Sequence, residues 1–177
     1  MKQILTKALS LLLCGGLMLA LLSGCGGNQD EQAYVDEMNS IATQMEQSLP
    51  EMQEELGKID DVTNKEQADA VVKIMETFRP SFQKLAELKA PEKYAAAQEK
   101  IKTGSQGAVK LIDAVIITVE KLGEFSSVDQ QDTQAMQQYA SDLQSLLNDL
   151  QTAQSEFSTG LQTLEEGLTE AENLSKE

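Results

Sequence analysis

The sequence predicts an all-α protein: an antiparallel up-down four-helix bundle with coiled-coil-like seams and a long C-terminal helix. Three observations carry this. Apolar residues recur every three or four positions from Tyr34 almost to the C-terminus, the spacing of one buried helix face. That pattern is interrupted by only three short polar connections, so neighbouring helices fold back on each other. Period and proline placement both argue against strands.

The first helix follows Tyr34, Met38, Ile41, Met45, Leu49, Met52, Leu56 and Ile59. Pro50 lies inside it, where the missing amide donor predicts a kink rather than a break, because the seam keeps phase across it. Gly57 to Asn64 reads as a turn, with Asn64 the N-cap of the next helix. The second helix, about 65–88, buries Ala68, Val71, Met75, Phe78, Phe82 and Leu85, with a second kink expected at Pro80. Pro91 fits the first turn of the third helix, where its missing N–H costs little. Tyr94, Ala97, Ile101, Gly104, Ala108, Leu111, Val115, Val119 and Leu122 then continue the period until Gly123.

The fourth helix carries Met136, Tyr139, Leu143, Leu146, Leu150, Ala153, Phe157, Leu161, Leu164, Leu168 and Leu174 on one stripe. Unbroken, it would reach roughly 65 Å at 1.5 Å per residue, well beyond its neighbours. It must therefore overhang or break, with Gly160 and Gly167 the expected weak points. Glu165, Glu166, Glu170 and Glu172 sit near the negative end of the helix dipole, so the final turns are expected to fray.

Ahead of these helices, Lys2 and Lys7 precede an uncharged apolar run, Ala8 to Leu22, which has the order of a signal peptide. It ends in Leu22-Ser23-Gly24-Cys25, an aliphatic residue, two small residues and a cysteine, which resembles the lipobox of bacterial lipoproteins. The resemblance implies cleavage between Gly24 and Cys25 and an acyl lipid on the Cys25 sulfur. Cys14 is a poor rival because bulky Leu13 precedes it. The organisation expected is a cleaved signal over 1–24, a lipidated cysteine and short tether over 25–29, and a helical domain over 30–177. Two acyl chains, each contributing about 0.8 kcal/mol per buried methylene, suffice to hold such a domain at a bilayer. The expected address is the extracytoplasmic face of the cell membrane, with a Gram-positive envelope favoured over a Gram-negative one. Gly26 stands where an aspartate would resemble an inner-membrane retention signal.

Removing residues 1–24 takes Lys2 and Lys7 with it and leaves 12 bases against 29 acids, a net charge of −17. Such a surface disfavours nucleic acid and anionic lipid as partners. Cys25 would be the sole remaining cysteine and is expected to be lipidated, so no intramolecular disulfide is available. There is no His and no Trp, which removes the commonest general base and the commonest zinc ligand. Serines lack a histidine base, and the Glu-rich C-terminus lacks the Glu-x-x-His pairs of a di-iron bundle. Asp60, Asp61 and Asn64 lack the alternating ligands and central glycine of an EF-hand. No catalytic residue, metal ligand or cofactor is expected beyond the lipid on Cys25.

Met38, Met45 and Met52 recur every seven residues. The sulfurs then lie about 10.5 Å apart along the helix, too far to share one ion, so they read as core or as an adaptable groove. Arg79, the lone arginine, is expected at the surface with its stem over apolar neighbours, and could clamp a carboxylate or phosphate. Gly104, Gly107 and Ala108 signal close approach of another helix or a small pocket. A pocket would draw on Met45, Met52, Phe78, Arg79, Phe82 and Gly104. The junction Leu85-Ala86-Glu87-Leu88-Lys89-Ala90-Pro91-Glu92-Lys93-Tyr94 is similar to one in small helical lipoproteins of Gram-positive bacteria, and implies kinship of fold and address. The functional expectation is a non-enzymatic binding or scaffolding module, held to the bilayer by Cys25 and meeting a protein of the envelope. The alternative is a small-molecule or ion sensor with a pocket inside the bundle.

Overall fold

The computed structural model describes residues 28–176; the predicted signal segment, Gly24 and Cys25 lie outside the described residues. The described chain is all-helical, with α1 at Gln29–Gly57, α2 at Lys65–Glu87, α3 at Ala95–Gly123 and α4 at Thr133–Ser175. Short 3-10 turns at Glu92–Tyr94 and Phe125–Ser127 precede and follow α3.

Three helices start on side-chain caps. The Oδ1 atoms of Asn28, Asn64 and Asp132 each accept two backbone N–H groups of the following turn, satisfying donors that have no partner within the helix. Asn28 adds Nδ2 to Glu31 Oε1 at 2.8 Å, tightening the first turn of α1. Both α1 and α2 are helical through their prolines, Pro50 and Pro80.

The predicted faces are the buried ones. In α2 all six expected residues, from Ala68 to Leu85, are buried. In α1 Val35 and Ala42 join the seam, while Leu56 and Ile59 are half-buried against it. α3 is buried around most of its girth, with Gln98, Ser105, Ile112, Ile116 and Thr118 added to the expected stripe. It is the element against which both α2 and α4 pack most closely.

The partners along α3 and α4 run in opposite numerical order. Cβ atoms built on the glycines would place Gly167 against Ala97 and Ile101, Gly104 against Gly160 and Leu164, and Gly107 against Phe157. Further along, Lys121 pairs with Asp142, and the Tyr139 hydroxyl donates to the Lys121 carbonyl at 3.0 Å. Tyr139 is thus already level with the end of α3, so the first turns of α4 overhang it.

Two expectations are corrected. Pro91 does not open the third α-helix: it precedes the 3-10 turn, Tyr94 N donates to Pro91 O at 2.9 Å, and the α-helix starts at Ala95. The tighter turn lets Tyr94 bury itself beside Tyr34, ring centroids 5.0 Å apart. α4 neither breaks at Gly160 and Gly167 nor ends early; it is helical to Ser175. Both glycines sit at contacts with α3, and Ala171 and Ser175 are buried at the end of the helix, which also touches the 92–94 turn.

Candidate functional site

A trough of about 410 Å³ runs between the second half of α1 and the middle of α2. Its apolar lining comes from Met52, Ala70, Ile74 and Phe78; its polar lining is Ser48, Glu51 and Glu55 on α1 with Lys73 and Thr77 on α2. The seam spacing explains this mixture. Met52 and Phe78 point inward and are nearly fully buried, whereas Glu51 and Lys73, one residue away from Met52 and Ile74, turn to the rim. Ala70, the smallest side chain of the lining, helps to leave the space open.

The hydroxyls of the trough are turned to their own helices. Ser48 donates to Gln44 O at 2.9 Å and Thr77 to Lys73 O at 2.9 Å. Lys58 spans Glu54 at 3.0 Å and Glu55 at 2.7 Å, while Glu51 and Lys73 form no ion pair with a described residue. A second, more open hollow of about 530 Å³ lies at the start of α1, where Asn28, Asp30, Tyr34 and Glu37 face Lys89, Pro91 and Glu92.

Of the six residues expected to share a pocket, the structure brings Met52 and Phe78 to the trough. Met45 and Phe82 are fully buried in the core. Gly104 faces α4, where an added Cβ would lie 2.5 Å from Leu164 Cβ and 2.6 Å from Gly160 O; the close approach expected of it is what it makes. Arg79 spans from α2 to α3 and pairs with the Asp113 carboxylate, its side chain 36% exposed and its Nε buried without a partner among the described residues.

The loop around Asp60, Asp61 and Asn64 uses its oxygens locally. Asp61 Oδ1 accepts from Thr63 N and Oγ1, Asn64 Oδ1 caps α2, and Gln67 Oε1 accepts from the Asp60 and Asp61 amides. Among the described residues no group of three or more His, Cys, Asp or Glu could hold a metal ion.

Sequence reasoning passed over Gln98, which ties three segments together. Its Oε1 accepts from the Tyr34 hydroxyl at 2.8 Å and its Nε2 donates to Leu85 O at 2.8 Å. Burial, and then the neighbouring Tyr94, push the Tyr34 hydroxyl well above its ordinary pKa. Burial, and then Glu31, raise Tyr94. Burial also raises Tyr139, assisted by Glu124 and opposed by Lys121.

The charges are distributed by helix. Neither α1 nor α4 contains a lysine or arginine, while α2 and α3 contain both signs. On α4, Asp142, Glu156, Glu166 and Glu170 pair with Lys121, Lys110 and Lys100 of α3. On α1, Glu31 reaches Lys93 at 3.8 Å, and Glu54 and Glu55 share Lys58 just past the end of the helix. Asp30, Asp36, Glu37, Glu46 and Glu51 form no ion pair with a described residue. Ile117, half exposed on α3, is the one large apolar side chain left open among the described residues.

No family model matches the chain, and neither a curated protein nor a solved structure shows significant similarity to it. No helix among the described residues is long and apolar enough to cross a membrane.

Proposed function

We propose that this chain is a lipid-anchored, extracytoplasmic binding module: an up-down-up-down bundle with antiparallel neighbours, cleaved after Gly24, held to the bilayer by lipid on Cys25, and presenting α1 to a protein of the envelope. The observation that carries the reading is the unanswered charge of α1. Five of its eight acids, Asp30, Asp36, Glu37, Glu46 and Glu51, pair with no base of the described residues; such acids stay available to solvent or to a partner, and charge of one sign steers and orients a partner of the other. The opposite order of contacts along α3 and α4 supports the bundle topology. The trough hydroxyls, each committed to a helix carbonyl, and the lack of histidine support a binding rather than an enzymatic role. The lipobox-like Leu22-Ser23-Gly24-Cys25 supports the address.

The test is site-specific photocrosslinking in intact cells, with the full chain carrying the crosslinker in turn on α1 and on the outer face of α4. A discrete protein adduct from α1, lost in Cys25→Ala, is the expected result. Adducts that form equally from both helices, or none above background from either, would overturn the assignment of α1 as the partner surface.

A further inference from the structure

Four acids of α4 pair with lysines of α3, whereas five of the eight acids of α1, Glu51 of the trough among them, pair with no base of the described residues. We infer that the trough is the docking site for a basic amphipathic helical segment of a protein partner, an inference that rests on the reading of the chain as a binding module. Met52, Ile74 and Phe78 supply an apolar floor, and Glu51 with Glu55 one turn further on supplies an acidic wall. From Ser48 to Glu55 the α1 wall is about 10 Å long, the distance over which a helix presents apolar anchors at i, i+3 or i+4 and i+7.

Shape favours a segment over a small molecule. A pocket for a small ligand buries about 70–90% of the ligand surface, whereas this trough between two helices is about half open to solvent. Charge sets the orientation. Lys73, on the opposite wall and unpaired among the described residues, repels a base, so the basic face of the partner lies over α1 and its apolar face over Ile74 and Phe78. Lys58, shared between Glu54 and Glu55, is exposed and is displaced at little cost.

The probe is a fluorescent amphipathic peptide of about 15 residues with leucine at i, i+3 or i+4 and i+7 and lysine elsewhere, titrated against the full chain in an uncharged detergent. A peptide of identical composition in scrambled order is the control. The expected result is saturable binding of the ordered peptide at least about tenfold tighter than the scrambled one. E51Q/E55Q should weaken it about tenfold and Ile74→Ser severalfold, while K73E tightens it. D149N/E165Q, which removes two exposed charges from α4, should change it less than about twofold. Equal weakening by E51Q/E55Q and D149N/E165Q, or equal affinity for both peptides, would reduce the effect to diffuse attraction and overturn the docking site. So would saturable binding of an alkylammonium ion without the ordered peptide. In-cell adducts from α1 that persist unchanged in E51Q/E55Q and Ile74→Ser would leave the binding module standing and remove the trough alone.

Discussion

α3 and α4 meet as α1 and α2 do not. Along the α3–α4 seam the backbones close on glycines: Gly104 lies against Gly160 and Leu164, and Gly167 against the Ala97 carbonyl and Ile101. Lysines of α3 then reach across to acids of α4 at Lys100, Lys110 and Lys121. The backbones of α1 and α2 approach closely at few positions. They are kept apart by long side chains, Met38, Met45 and Met52 on one helix and Met75, Phe78 and Phe82 on the other, all buried. The first seam is specified by shape and charge; the second is filled by flexible thioethers that tolerate repacking, and it leaves a trough at the surface. Rigidity on one side of α3 and adaptability on the other are what the proposed binding module requires, since it would hold its fold while one helix pair receives a partner.

The sharpest way to break this comparison is to change one buried aliphatic position in each seam. Gly104→Val drives new carbon into Leu164 Cβ and the Gly160 carbonyl, and neither can move without shifting a helix. We expect a loss of about 3 kcal/mol, beyond anything regained from helix propensity. Met45→Leu, nearly conserving volume in the other seam, should cost under about 1.5 kcal/mol. Gly57→Ala, where an added Cβ meets nothing within 4 Å, should be neutral or slightly stabilising. Denaturant midpoints measured side by side decide it, and equal losses for Gly104→Val and Met45→Leu would erase the distinction.

The two seams also differ in how far they could be read from sequence. α2 packs through a single stripe, and its three-four spacing identified every buried residue from Ala68 to Leu85. α3 packs on more than one side, so following one stripe found Ala97, Ile101 and Leu111 but missed Gln98, Ser105, Ile112 and Thr118 on the others. Gly160 and Gly167 were misread because the helical cost of glycine is written in the chain while the neighbour that repays it is not. The trough depends on a gap between two helices, and four of the six residues of the expected pocket lie elsewhere for that reason. The charge of α1 was legible; that α3 answers the acids of α4 and not those of α1 required the fold.

Gln98 joins α1 to the rest, and its loss should be the next largest effect. Gln98→Leu leaves both the Tyr34 hydroxyl and the Leu85 carbonyl without partners in the core, a cost of about 2 kcal/mol or more. Tyr34→Phe strands only the Gln98 side-chain oxygen and should cost about 1–2 kcal/mol. The pH dependence follows the raised pKa of Tyr34. Below the unfolded tyrosine pKa, near 10, the hydroxyl is protonated in both states and its contribution is intact. Above it the unfolded chain releases a proton that the folded chain retains, so stability falls as pH rises toward the folded pKa. Melting temperatures from pH 8 to 12 should decline above about pH 10, and more shallowly in Tyr34→Phe. Parallel slopes for the two proteins would remove Tyr34 from the account.

Ser105 predicts a smaller effect of the opposite sign. Its side chain is fully buried and its Oγ has no hydrogen-bond partner among the described residues, so the hydroxyl is desolvated with nothing there in return. Ser105→Ala should raise stability by about 1 kcal/mol, since it removes the orphaned group and improves helix propensity. A destabilised Ser105→Ala would mean that the hydroxyl is satisfied in the folded protein and that this face of α3 is better matched than its neighbours.

The smallest effect tests whether the ion pairs across α3 and α4 hold the seam or only select its register. Lys110 and Glu156 approach at 3.5 Å with most of both side chains in water, a geometry that contributes under about 1 kcal/mol. Lys110→Gln and Glu156→Gln should each shift stability by less than about 0.5 kcal/mol, and the double variant should show little coupling. Swapping the charges, with K110E and E156K together, should restore whatever the single reversals lose. If reversal of Lys110 alone costs no more than its neutralisation, the lysines of α3 do not discriminate among alignments, and the glycine contacts at Gly104 and Gly167 suffice to set the register of α4.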